Sequence, residues 1–124
     1  MILGVGTDIL QISRMQDALE RTPRLFQRLL TDSELKQAQE SANPTLFLAK
    51  RFAAKEAIVK ALGTGIGRGV SWQHIEITKN EFGRPEVSLN SGALDRAKTL
   101  GINTVHLSYS DEKAYIVAFA IAED

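Results

Sequence analysis

The sequence predicts an α+β fold, with an N-terminal strand and a block of helices packed on a mostly antiparallel sheet. Three observations carry this prediction. Apolar residues recur at helical spacing through the first half, β-branched runs divided by tight turns fill the second half, and the two patterns are segregated along the chain. Alternation of the two would have pointed to a parallel sheet; segregation points to α+β. With 124 residues, 44% of them hydrophobic, a single domain over residues 1–124 has enough apolar surface for a core without disulfide or metal staples. A domain of this size still leaves much surface exposed, so an oligomer that covers an apolar face is compatible with it.

The opening ILGVGTDI has the glycine and β-branched content of a buried strand that delivers Asp8 near its end. Ile9, Ile12, Met15 and Leu19 then recur at helical spacing, predicting a first helix that starts near Leu10 and runs to about Glu20. Thr22-Pro23 marks a second start, with Leu25, Phe26, Leu29 and Leu30 facing inward. Thr31 and Glu34 fit a capping box for a third helix to about Glu40, with Asp32 or Ser33 as alternative caps. Asn43-Pro44 breaks the chain before a long helix from Thr45 to Leu62, closed by Gly63 in the left-handed conformation. WQHIEIT and PEVSL flank Asn80 to Arg84 as a hairpin. SGALDRAKTLG is a short helix ended by Gly101, and TVHLSYS and AYIVAFAIA are strands joined around Asp111 to Lys113.

Composition removes several chemistries. There is no cysteine, so thiol catalysis, thiolate metal sites and disulfides are out. Fifteen basic residues balance fifteen acidic ones, which gives no support to nucleic-acid binding; an acidic partner would have to be met by a local patch. His74 and His106 lie in expected strands without a second histidine at ligand spacing, and Ser108 and Ser110 lack the ordered base and acid of a serine nucleophile. No basic leader or long apolar run is readable, so a soluble cytoplasmic protein with no membrane segment is expected.

The stretch RFAAKEAIVKALGTGIG, from Arg51 to Gly67, departs from a plain amphipathic helix. Phe52, Ile58, Val59 and Leu62 share one broad arc, with Glu56 and Lys60 side by side beyond its edge. The pair is either an ordinary i,i+4 contact or part of a site. Lys55 falls within the apolar arc, where an ammonium needs an anion partner or a path to water. The glycines from Gly63 to Gly69 then make either a plain connector or a backbone that offers N–H groups to a polyphosphate, with Arg51, Lys55 and Lys60 as cations. It is not a Walker loop, because the residue order is wrong and the loop follows a helix instead of opening one. Asp8 and Glu56, from a strand end and a helix, are candidate oxygen donors for a Mg²⁺ ion, although Asp8 also suits a helix cap.

Taken together, GVGTDI with Asp8, the K-E-A-x-x-K core with its following G-T-G, and HLSYS before a last apolar strand resemble the holo-acyl-carrier-protein synthases, a bacterial group of 4′-phosphopantetheinyl transferases. The resemblance spans essentially the whole chain. It implies transfer of 4′-phosphopantetheine from coenzyme A to a serine of an acidic apo-acyl-carrier protein, releasing adenosine 3′,5′-bisphosphate. It further implies that Asp8 and Glu56 hold Mg²⁺ on the coenzyme pyrophosphate and that Lys60 sits by the transferring phosphate. Arg51, Lys55 and the turn of Gly63, Thr64 and Gly65 would help to hold the coenzyme. The serine proton also needs an acceptor within hydrogen-bond reach or one water away, and our candidate for it is Glu56 or a water that it orients. Homotrimers with active sites between subunits are implied too. One position departs from the pattern: many members carry a histidine where this chain has Asp111, so another cation must meet that coenzyme phosphate or the local geometry differs.

An acidic carrier calls for a positive face. Arg14, Arg21, Arg24 and Arg28 would align along one side if the first two helices were continuous, which Pro23 opposes, and Asp17 and Glu20 interrupt the run. Given the resemblance, Arg14 and Arg24 are the leading candidates, with Met15 and Phe26 as apolar contacts. Two other functions fit the same residues: a noncatalytic coenzyme A or nucleotide-binding module, whose tight binding would be indifferent to Glu56→Gln, and a trimeric interaction protein, whose association would be salt-sensitive without coenzyme.

Overall fold

Thr31 and Glu34 form the reciprocal cap expected of them: the Thr31 side chain accepts from Glu34 N at 3.3 Å and Glu34 Oε1 accepts from Thr31 N at 3.0 Å. The computed structural model describes residues 1–124, in the order β1 (Ile2–Gln11), α1 (Ile12–Arg21), α2 (Leu25–Leu29), α3 (Asp32–Glu40), α4 (Pro44–Ala61), a 3₁₀ turn (Trp72–His74), β2 (Ile75–Lys79), β3 (Pro85–Leu89), α5 (Ser91–Leu100), β4 (Thr104–Glu112) and β5 (Tyr115–Glu123). The strands form two antiparallel sheets, β1-β5-β4 and β2-β3. No helix is long and apolar enough to cross a membrane.

Helix α4 is the axis of the molecule. Asn43 caps it by accepting from Leu46 N at 3.1 Å, Pro44 sits in its first turn, and Gly63 ends it at φ 76°. The predicted single apolar arc is too narrow: Leu48, Ala49, Ala53, Ala54, Ala57, Ile58, Val59 and Ala61 are all buried, so the helix is covered on nearly every side. The reason lies in β1. Gly4 and Gly6 share the inward face of that strand, and a Cβ at either would run into a carbonyl oxygen of α4, of Ala61 and Ala57 respectively. Bare glycine lets strand and alanine-rich helix meet backbone to backbone, which hides a side of α4 that sequence periodicity reads as surface.

Three other expectations are corrected. The first strand is not buried on both faces: Val5 and Ile9 point outward and are exposed, beside Val117 and Phe119 of β5. Helix α1 begins at Ile12, not near Leu10, because β1 keeps pairing with β5 as far as Gln11 and Ile12 N then donates to Ala114 O at 2.8 Å. Residues 72–74 wind into a 3₁₀ turn, held by His74 N to Ser71 O at 3.1 Å and Ser71 N to His74 Nδ1 at 3.2 Å, and strand β2 starts only at Ile75.

Candidate active site

Asp8 and Glu56 line one cleft. Asp8 lies on the inward face of β1, the face of Gly4, Gly6 and Leu10, and so faces α4, where Glu56 and Lys60 stand one turn apart. Here Asp8 is a paired strand residue opposite Ala118, not a helix cap. Lys60 Nζ donates to Thr7 O at 2.9 Å and to Asp8 Oδ1 at 3.3 Å. The cleft holds about 700 Å³, with Arg14, Arg21 and Arg28 along its sides. Phe52 and Trp72, with ring centroids 5.2 Å apart, give it an apolar wall.

The electrostatics of the pair suit a cation. Burial pushes the Asp8 carboxyl above its ordinary value, while the hydrogen bond and charge of Lys60, and the charge of Arg14, oppose the shift. Burial raises Glu56 as well, and the Asp8 charge raises it further against the pull of Lys60. Two carboxylates that repel each other in a half-buried cleft would be relieved by a divalent ion. No group of three or more His, Cys, Asp or Glu residues gathers anywhere. Two oxygen ligands with room for water and phosphate fit Mg²⁺, which rarely occupies an all-protein cage.

The cations expected to hold a coenzyme divide differently. Lys55 is fully buried and spends its ammonium protons on Glu34 Oε1 at 2.6 Å, Leu29 O at 2.8 Å and Trp72 O at 3.1 Å, which leaves no donor for a ligand. Burial lowers its pKa and the Glu34 charge opposes that. Of the two fates open to it in the sequence, Lys55 takes the anion partner, and its role as a coenzyme contact is withdrawn on that ground. The backbone donors of the glycine turn are also engaged: Gly63 N bonds Lys60 O at 3.0 Å, and Thr64 N and Gly65 N both reach Val59 O at 3.3 Å. These N–H groups satisfy the last carbonyls of α4, so Gly63, Thr64 and Gly65 close the helix and do not form an anion nest.

Arg51 lines a second cavity of about 560 Å³, which Asp8 and Glu56 do not line. It is buried, donates to Tyr109 Oη at 3.0 Å and Gln37 Oε1 at 3.3 Å, and lies over the Phe47 ring with Cζ 4.6 Å from its centroid. Lys50 and Lys79 line the same cavity, and Lys50 Nζ pairs with Asp111 Oδ1 at 3.2 Å. Sequence reasoning missed Lys50; its signal was the unpaired charge at Asp111, which calls for a nearby cation. On the arginine face, α1 and α2 are separate helices, as Pro23 foretold. Arg14, Arg21 and Arg28 reach the cleft, but Arg24 does not line it. Met15 is buried and Phe26 packs partly into the core, so both serve the core more than an outer contact surface.

Residues 4–120 match the family model of the 4′-phosphopantetheinyl transferase superfamily. The chain belongs to that superfamily. A holo-[acyl-carrier-protein] synthase of Shewanella amazonensis is 56% identical over 121 residues, 97% of each chain. The crystal structure of the holo-[acyl-carrier-protein] synthase of Neisseria meningitidis superposes with a TM-score of 0.92 at 41% identity over all of both chains. That of Bacillus anthracis, in complex with coenzyme A (3′,5′-ADP), gives 0.83 at 36% identity and covers 100% of this chain and 98% of its own. The α+β architecture with antiparallel sheets is therefore that of the superfamily's synthases.

Proposed function

We infer that the protein is a holo-[acyl-carrier-protein] synthase of the bacterial cytoplasm, which transfers 4′-phosphopantetheine from coenzyme A to a serine hydroxyl of an acyl carrier protein. The observation that supports this best is the convergence of Asp8 and Glu56, from a strand and a helix and 48 positions apart, at one cleft flanked by arginines, with Lys60 bonded to Asp8. In the reaction the serine oxygen forms a bond to the phosphorus that bears pantetheine. The bond from that phosphorus to the bridging oxygen breaks, and adenosine 3′,5′-bisphosphate leaves with the electron pair.

Asp8 and Glu56 are the residues that would hold Mg²⁺; when bound, the ion neutralises pyrophosphate charge that builds on the leaving group. Lys60, half-exposed and tied loosely to Asp8, is free to swing its ammonium to the phosphate. Glu56, or a water that it orients, would accept the serine proton. Arg14, whose charge Asp8 feels, marks the carrier's approach and brings an acidic surface next to the reacting groups. Arg14→Glu is expected to raise the KM for carrier protein about tenfold, a loss of about 1.4 kcal/mol, with little change in the KM for coenzyme A. Steady-state kinetics with each substrate varied in turn checks this, and an equal loss for both contradicts it.

The homotrimer belongs to the same proposal. Val5, Ile9, Val117 and Phe119 make an uncovered apolar sheet face, the kind of surface that oligomers bury. Arg51 and Glu56 also line separate cavities of one chain, which is what a coenzyme site completed between subunits requires. In the second cavity Lys50, steadied by Asp111, takes the part that the resemblance gives to a histidine and meets the 3′-phosphate together with Arg51 and Lys79. Lys50→Gln should raise the KM for coenzyme A several-fold, about 1 kcal/mol. It should leave the KM for dephospho-coenzyme A, which lacks that phosphate, unchanged; equal effects on both donors would remove Lys50 from the role.

The deciding experiment is incubation with coenzyme A and a validated apo-acyl-carrier protein, with and without Mg²⁺. A magnesium-dependent gain of one phosphopantetheine by mass spectrometry is expected. Its absence rules the activity out.

A further inference from the structure

We propose that Glu34, outside the cleft and fully buried, is a positioning residue that sets the placement of α4 and hence of Glu56 against Asp8. This rests on the transferase reading above. The need for such a residue comes from how α4 packs. Towards β1 it presents Ala57 and Ala61, and the strand answers with Gly6 and Gly4. Alanine against bare backbone forms shallow ridges and grooves, so close packing resists separation of helix and strand far more than it resists sliding or rotation of the helix about its axis. On the β1 side that resistance is missing, and side chains held by directional bonds supply it beside the packing of Leu48, Ile58 and Val59 elsewhere on the helix.

Glu34 supplies them from three directions. Its Oε1 accepts from Lys55 Nζ at 2.6 Å and from Thr31 N at 3.0 Å; its Oε2 accepts from Ile77 N at 3.0 Å and faces Arg51 Nε at 3.6 Å. One carboxylate thus joins the start of α3 and strand β2 to two residues of α4 that lie one turn apart. Lys55 completes the lock with the carbonyls of Leu29 and Trp72, and Thr31 Oγ1 ties the same corner to Glu76 Oε1 at 2.6 Å. Lys55 immediately precedes Glu56. Any turn or slip of the helix that breaks the Lys55 contacts also carries Glu56 away from Asp8, which is fixed on the paired strand β1.

A buried ion pair is a poor source of net stability, since an apolar pair of similar volume often does as well, but its directionality specifies one arrangement among several of similar energy. That separates the proposal from a structural role alone: removing both charges together should leave a folded protein with a loosened site.

The test is the double variant Glu34→Gln/Lys55→Met, compared with the unaltered protein in melting temperature, in kcat and KM for each substrate, and in Mn²⁺ affinity by calorimetry in the presence of coenzyme A without carrier protein. The expected result is a folded protein with Mn²⁺ affinity and kcat each lowered about tenfold or more, the range found when groups that orient metal ligands are lost. The KM for carrier protein should stay within about twofold, because Arg14, the leading carrier contact, lies on α1, outside this lock, which reaches α2 only at Leu29 O. A folded double variant with unaltered kcat and Mn²⁺ affinity overturns the proposal. If the double variant does not fold, Glu34→Asp, which keeps the charge and shortens its reach by one methylene, is measured under the same criteria and decides in its place. If the unaltered protein neither transfers phosphopantetheine nor binds Mn²⁺ with coenzyme A, the transferase reading fails and the positioning role falls with it; if it does both and the folded variant equals it, only the positioning role fails.

Discussion

Glu56→Gln is expected to abolish measurable transfer while leaving the metal-free protein at least as stable as before. The substitution keeps the size of the side chain and removes its charge. The proposed ion loses one of two protein ligands, the serine proton loses its acceptor, and a loss of about 100-fold to 1,000-fold in kcat is the scale for removing one preorganised electrostatic group. Stability moves the other way. Burial and the Asp8 charge make the ionised form of Glu56 costly in the folded state, so its folded-state pKa lies above its unfolded value. For a carboxyl raised in this way, folding is opposed above its folded-state pKa and the opposition fades as pH falls through that value. A neutral amide removes the opposition at neutral pH. Melting curves without divalent ion, together with the mass-shift assay, check both halves. Turnover retained within tenfold would take Glu56 out of the metal and proton roles.

The same shifts set the acid side of the pH profile. Asp8 and Glu56 must both be ionised to share a cation, and both are raised, so in low divalent ion activity should begin to fall at a higher pH than for ordinary carboxylates near 4. Because the ion favours the ionised forms, adding Mg²⁺ should move that acid limb to lower pH.

How much of this was legible depends on whether the controlling interaction was local. The caps at Thr31, Gly63 and Gly101 were readable because a helix end needs a side-chain acceptor or a left-handed residue within a few positions, whereas Asn43, read only as part of a chain break, proves to cap α4. The pairing of Asp8 and Glu56 was raised from residue chemistry and strengthened by motif resemblance, and nothing in the 47 residues between them would have given their shared cleft from spacing alone. Lys55 was ambiguous because its partner lies 21 residues away and already had a complete local explanation: Glu34 looked like half of a capping box, and one bond to Thr31 N left the rest of the carboxylate unaccounted for. The start of α1 was misplaced for a similar reason. Ile9 fits the helical spacing of Ile12, Met15 and Leu19, but pairing with β5 holds residues 9 to 11 in the sheet. The glycine turn was assigned donors that α4 consumes for its own C-terminus, a demand that each helix end makes and that competes with any ligand.

Gly6→Ala should be strongly disruptive for a change of one methyl group. In an ordinary strand, alanine for glycine would be favourable by roughly 0.5–1 kcal/mol, because glycine loses more backbone entropy on folding. Here the new Cβ would overlap Ala57 O and lie 2.8 Å from Ala61 N and 2.9 Å from Ala57 C, all backbone atoms of a helix interior that no rotamer change can move. Relief requires β1 and α4 to separate. Overpacking of this kind costs about 1–3 kcal/mol where side chains can yield; with main chain on both sides, about 3 kcal/mol or more is expected. That outweighs the entropic gain and lowers the melting temperature by roughly 10 °C for a domain of this size. Activity should fall by more than the folded fraction alone predicts, because Asp8 lies two residues further along the same face and moves with the strand while Glu56 moves with the helix. Thermal unfolding together with kcat at a temperature where the variant remains fully folded checks this. A variant that melts within about 2 °C of the parent would mean that strand and helix are not in the backbone contact on which the geometry of the site depends.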